Sequence, residues 1–301
     1  MIGVTNLLTR KRLPAGLAIA SQSADFWRGM APALTISDHQ PGPFSVPGSD
    51  QLLQHRLRLM NAGYAHLPGA AETGKLSSLT DAMTEIAAAG LPPAFLGVYD
   101  ECWDVVARLS PLIEGVLGGA ARLLPDFWAG HGHACPPIAA GRAMAGRGVF
   151  RNRAPKTITV WVALTDATPD NGCLYLVPAD QDKEYGRREP GQAKAPLPAI
   201  RAVPTRAGDV VIMTGDTYRW QGQAETSKGQ PPVMYLSWSF CEASAGFGVT
   251  IDSFPYVPFE TRLSILGGQM RAHADELGPQ PVWRAVQQAL VNRFPIRAMD
   301  A

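Results

Sequence analysis

Charge is scarce in this chain. Only 18% of its 301 residues are charged, and 27 cations face 26 anions for a net charge of +1. That neutrality argues against a nucleic-acid binder or a polybasic membrane-surface protein. Long apolar runs are missing too, since none approaches the roughly 20 residues that cross a bilayer. Arg10-Lys11-Arg12 followed by Leu13 to Ala20 has the outline of a secretion signal. Pro14 and Gly16 interrupt that stretch and no cleavage site follows it, so a cytoplasmic location is expected. The four cysteines (Cys102, Cys135, Cys173, Cys241) lie far apart with no C-x-x-C pair, which reads as reduced, mostly buried thiols. There are six histidines, and none falls between residues 134 and 272.

What is abundant points to a turn-rich β protein with a sizeable core: 30 Gly, 26 Pro and 46% hydrophobic residues. Residues 1–48 show no period and are expected to form an irregular arm, leaving 49–301 as a single domain. Ser49 to Ala62 has apolar residues at helical spacing with Ser49 and Asp50 as cap candidates, and a strand and turn follow from Gly63. Further helices are expected at 79–89, closed by Gly90, and at 102–117, stopped by Gly118-Gly119. After Leu124 the texture changes to strands. Thr157 to Leu164 is β-branched and aromatic, and strands are expected at 173–177, 208–214 and 233–240. Two C-terminal helices, 261–270 and 283–291, would cover the sheets. Helices first and strands later, without β-α alternation, indicate α+β with a β-sandwich or barrel core.

The stretch Lys156-Thr157-Ile158-Thr159-Val160-Trp161-Val162-Ala163-Leu164-Thr165-Asp166-Ala167-Thr168-Pro169-Asp170-Asn171-Gly172-Cys173-Leu174-Tyr175-Leu176-Val177-Pro178 resembles the phytanoyl-CoA hydroxylase-like family of Fe(II)/2-oxoglutarate dioxygenases. Gly63-Tyr64, Phe95 to Asp100 and Gly208-Asp209-Val210-Val211-Ile212 add weaker support. The resemblance implies a double-stranded β-helix, a jelly-roll or cupin-like core with flanking helices and a pocket between two facing sheets. It also implies an iron held by two histidines and a carboxylate, with an arginine pairing 2-oxoglutarate. At the places where those groups would fall, this chain has Phe150, Asn152 and Arg219, and Gln230-Pro231-Pro232 where the oxoglutarate arginine belongs. Phe has no lone pair, Asn is a weak neutral ligand, and Arg brings positive charge to a cation site. The one literal H-x-D, His273-Ala274-Asp275, reads as a solvated helix face.

These replacements predict no metal and no cofactor. The expected function is a metal-independent, non-redox enzyme of isomerase, cyclase or lyase type, acting on a small metabolite that bears a carboxylate. The alternatives are a non-catalytic protein that binds a small molecule or partner, and a dioxygenase with unorthodox ligands. Arg219 is expected either to anchor a carboxylate or to form an internal ion pair with Asp216. Tyr218 is a candidate proton donor. His131 and His133 are acid–base candidates if they face the cavity, and with Cys135 they are also potential zinc ligands. Asn152 and Asp216 join the catalytic candidates; Arg151, Phe150, Trp161, Tyr175 and Trp220 are the candidate substrate contacts. Asn171-Gly172 reads as turn chemistry with positive φ at Gly172. Cys173 would be reactive only beside a base.

Overall fold

The computed structural model describes residues 16–37, 48–71, 73–132, 140–150, 152–187, 197–222, 231–274 and 281–294. Five antiparallel strands build the larger sheet: β1 (Tyr64–Leu67), β2 (Ala121–His131), β3 (Thr157–Ala163), β6 (Val210–Thr214) and β8 (Met234–Glu242), in the order β1-β6-β3-β8-β2. The smaller sheet has the order β5-β4-β7, from β4 (Leu174–Val177), β5 (Arg201–Val203) and β7 (Tyr218–Gln221). The two sheets and their covering helices make the expected α+β double-stranded β-helix.

Helices α1 (Leu17–Ala20) and α2 (Ala24–Met30) lie in the N-terminal stretch expected to be irregular. Trp27 of α2 is fully buried, stacked on Phe95 at 5.0 Å, with its indole N–H donated to Ser21 O. Leu17, Phe26, Met30, Leu34 and Ile36 of this stretch are buried in the same core. Helix α3 (Ser49–Ala62) ends at Gly63, whose φ of 78° only glycine adopts readily. Helix α4 spans Leu76–Ala88. The expected helix over 102–117 is divided into α5 (Asp100–Ala107) and α6 (Ser110–Leu117). Pro111 lies in the first turn of α6, where its missing N–H would otherwise break a continuous helical ladder.

Strand β3 is buried along its whole length and faces two cores. Ile158, Val160 and Val162 join the large core under the helices, whereas Trp161 and Ala163 join a smaller core between the sheets. The C-terminal helix α7 (Phe259–Ala272) is fastened to the helical layer by Arg262. Its buried guanidinium meets Asp100 at 2.6 Å and the carbonyls of Val98 and Val257 at 3.1 and 2.7 Å. Helix α8 (Pro281–Arg293) packs beside α7. Cys102, Cys173 and Cys241 are free and buried, as their spacing suggested. Among the described residues, no helix is long and apolar enough to cross a membrane.

Candidate functional site

Antiparallel register decides which side chains face the space between the sheets, because paired residues share a face. On β7, Arg219 pairs with Leu176 and Gln221 with Leu174, and both leucines belong to the inter-sheet core. Arg219 therefore projects inward. Tyr218 and Trp220 alternate to the opposite face, where Trp220 stacks on Tyr175 at 5.6 Å and Arg142 lies over the Tyr218 ring. The readings of Tyr218, Tyr175 and Trp220 as pocket residues are corrected by this alternation. They form an aromatic patch on the outside of the smaller sheet.

Facing Arg219 from the larger sheet are β8 and the irregular middle of β2. Tyr235 stacks on Trp161 at 5.4 Å over Gly130, where any Cβ would stand 2.0 Å from the tyrosine ring. The β2–β8 register shifts between Leu123 and Phe127, and this bulge turns Asp126 inward. Ser239 donates to Asp126 Oδ2 at 2.6 Å, and Thr159 lies 3.2 Å from the same hydroxyl. Ser237, though on a central strand, is only half-buried, as are Asp126, Trp128 and Arg219. The inter-sheet space is thus open at this level rather than filled.

The guanidinium of Arg219 is the unusual group. Its Nε and Nη1 are out of solvent and have no hydrogen-bond partner among the described residues. Burial lowers its pKa from the ordinary arginine value, opposed by the charges of Asp126 and Tyr235. The alternative expected of Arg219, an ion pair with Asp216, does not form. Asp216 Oδ1 accepts the Gly146 N–H at 2.5 Å. Burial pushes its carboxyl above the usual range, against the pull of the N–H groups of Gly146, Gly148 and Val149 and of Arg142. Gly148 is pressed so closely on this turn that a Cβ would lie 2.4 Å from Asp216 N. Asp216 is therefore a loop anchor, not the catalytic group the sequence suggested.

Other candidates are also relocated. His131 pairs with Met234, a member of the large core, so it faces the helices rather than the inter-sheet space. His133, Cys135 and Arg151 lie outside the described residues. Asn152 is exposed, and its Oδ1 caps its own turn by accepting Ala154 N–H at 3.1 Å. Phe150 and Trp161 divide: Trp161 lies on the inner face, while Phe150 lines a separate cavity described below. Burial raises the Cys173 thiol above its usual value despite hydrogen bonding with Tyr175 and Val203, which favours the neutral thiol. Asn171 behaves as expected: it accepts Thr168 N–H at 2.6 Å and donates to Asp166 O at 2.9 Å, with Gly172 at φ 98°.

Asp126, Ser239 and Tyr235 were not legible as site residues. Asp126 sits in an apolar stretch with no motif around it, and only the bulge directs it inward.

A double-stranded β-helix with an open, polar inter-sheet space is the scaffold of the non-heme oxygenases. Residues 143–227 match the phytanoyl-CoA dioxygenase (PhyH) family model. None of the curated proteins matches. Among solved structures, the non-heme monooxygenase ThoJ superposes with a TM-score of 0.52 at 14% identity, covering 79% of this chain and 99% of that one. The non-heme alpha ketoglutarate dependent carbocyclase SnoK from nogalamycin biosynthesis gives 0.49 at 18% identity, covering 67% and 88%. The epimerase SnoN from the same biosynthesis gives 0.47 at 18%, covering 66% and 88%. At 14% identity the likeness to ThoJ is one of fold.

An iron centre of two histidines and a carboxylate does not fit the described residues. Asp126 is the carboxylate near Arg219, and the described histidines lie elsewhere. His55 lies on helix α3, His66, on edge strand β1, is bonded to Asp209 at 2.9 Å, His131 faces the helices, and His273 lies against Trp128. No group of three His, Cys, Asp or Glu among the described residues could hold a metal ion. A fixed cation at Arg219 further disfavours a second cation beside it.

Proposed function

We propose that this oxygenase-fold protein works without iron or 2-oxoglutarate, as a non-redox enzyme of isomerase, cyclase or lyase type on a small, carboxylate-bearing metabolite. The observation that carries this reading is the inward guanidinium of Arg219 with Nε and Nη1 buried and unpaired. Buried guanidinium N–H groups without an acceptor are costly, whereas a carboxylate presented to them forms two parallel charge-assisted hydrogen bonds. The site is thus built to receive an anion.

Asp126 supplies the second half of the chemistry. Ser239 holds its Oδ2, leaving Oδ1 to take a proton from the carbon next to the bound carboxylate. The C–H electron pair then delocalises onto the carboxylate, where Arg219 neutralises the growing charge. Return of the proton to the opposite face of the same carbon completes an epimerisation; alternatively, the electron pair forms a C=C bond as a substituent on the next carbon leaves with its bonding pair, which completes an elimination.

The test joins elemental analysis with calorimetry. Purified protein is expected to carry no stoichiometric iron and to bind dicarboxylates such as succinate equally with and without Fe(II). Arg219→Ala should lose that binding, and Asp126→Asn should retain it. One equivalent of iron together with metal-dependent conversion of 2-oxoglutarate to succinate would overturn the proposal.

A further inference from the structure

A second cavity, of about 560 Å³, shares no residue with the Arg219 site. Gly146, Val149, Phe150, Arg153, Lys156, Tyr185 and Gly186 line it. Its volume falls in the range of small-molecule sites, roughly 300–1,000 Å³. Two of the seven residues are cations and none is an acid.

The wall is a closed β-turn. Phe150 N–H donates to Ala154 O and Arg153 N–H to Phe150 O, both at 2.8 Å, while Asn152 caps Ala154. This turn holds Arg153 at φ 64°, the one described non-glycine residue in the left-handed region. A side chain kept there is strained, and such residues cluster where a site needs the geometry. Behind the turn, Lys156 N–H donates to Gly148 O at 2.9 Å, and Asp216 fastens the Gly146–Val149 loop. The Lys156 Nζ stands 4.9 Å from the Phe150 ring centroid.

Charge around the cavity is unbalanced. Arg142 and Asp182 cancel in a two-pronged ion pair at 2.7 and 3.0 Å. Asp216 is directed at backbone N–H groups behind the loop. Neither Arg153 nor Lys156 has an ion pair among the described residues. Tyr185 completes the wall, its hydroxyl 2.7 Å from Thr214 Oγ1. Burial above all pushes it up to about 12, so it remains a neutral phenol at physiological pH.

From this arrangement we infer that the cavity binds the phosphate group of a phosphorylated small molecule between Arg153 and Lys156, with the apolar part of the ligand against Phe150. Two monocations with no ion pair among the described residues match the double charge of a phosphate monoester, whereas a carboxylate would satisfy only one. Arginine supplies the planar fork and lysine the point charge. This site does not depend on what occupies the inter-sheet space.

Calorimetric titration with phenyl phosphate, inorganic phosphate and benzoate tests the inference. Phenyl phosphate is expected to bind tightest, with benzoate weaker by about tenfold or more, the worth of one charge-assisted contact. Lys156→Met and Arg153→Gly should each weaken phenyl phosphate by about tenfold or more. Arg153→Gly should at the same time raise or preserve the melting temperature, because glycine relieves the left-handed backbone, so its loss of binding cannot be ascribed to misfolding. Failure of phenyl phosphate to bind the wild-type chain, equal binding of benzoate, or unchanged affinity in both variants would overturn the assignment.

Discussion

Replacing Arg219 with methionine separates a ligand anchor from a structural ion pair. The wild-type guanidinium has Nε and Nη1 buried and unpartnered, while the residue as a whole keeps some solvent contact. Exchange of buried charged groups for apolar side chains of similar volume is often neutral or stabilising by about 1–4 kcal/mol. The residual exposure of Arg219 puts the expectation at the lower end, about 0–2 kcal/mol of stabilisation. At about 2–4 °C per kcal/mol for chains of this order, the melting temperature should stay level or rise by up to about 8 °C. The assay is differential scanning calorimetry of the ligand-free protein, with the dicarboxylate titration repeated on the same sample. A variant that is more stable yet unable to bind is the signature of a side chain kept for its ligand. Destabilisation by about 3 kcal/mol or more would refute the reasoning, because that is the cost of orphaning a partner in a buried pair. Arg219 would then be a structural partner of Asp126.

Three further substitutions test the framework around the site. Arg262→Met leaves Asp100 as a buried carboxylate without its 2.6 Å partner, and urea unfolding should show a loss of about 3–5 kcal/mol. Gly97→Ala places a Cβ 2.5 Å from the Phe127 ring between the helical layer and β2, and calorimetry should report about 1–3 kcal/mol of destabilisation. At Asp209, burial opposes ionisation, but donation from Arg206 N–H, Gly69 N–H and His66 outweighs it and holds the carboxyl below its ordinary value. A depressed carboxylate stabilises the fold above its unfolded-state pKa, near 3.9, and that contribution disappears as pH falls through the lower folded-state value. Asp209→Asn should therefore lower stability at neutral pH and flatten the acid limb of the stability–pH curve, measured by denaturant midpoints between pH 7 and pH 2.

Local chemistry made much of this protein legible from sequence. The β-branched and aromatic run from Thr157 points to a strand because such side chains suit a pleated, buried surface. Asn171-Gly172 specifies its turn through hydrogen bonds within five residues, and Gly63 ends its helix through its own backbone freedom. Arg219 stood out because a fixed cation is anomalous at a place the family resemblance reserves for a metal ligand. Facing, by contrast, was decided in three dimensions. A strand's alternation says that Tyr218 and Trp220 share one side and Arg219 the other, but which side is the interior depends on pairing with Leu176 and the packing of the opposite sheet. His131 was placed on the helix face by its register with Met234, and Asp126 was brought inward by a bulge that no local pattern announces. No sequence pattern singles out Arg153 and Lys156; a left-handed turn and an anchored loop set them around one cavity. Bonds between near neighbours are written in residue order. Faces, bulges and unpaired charges exist only once distant segments meet, because burial and partnership are properties of the packed chain.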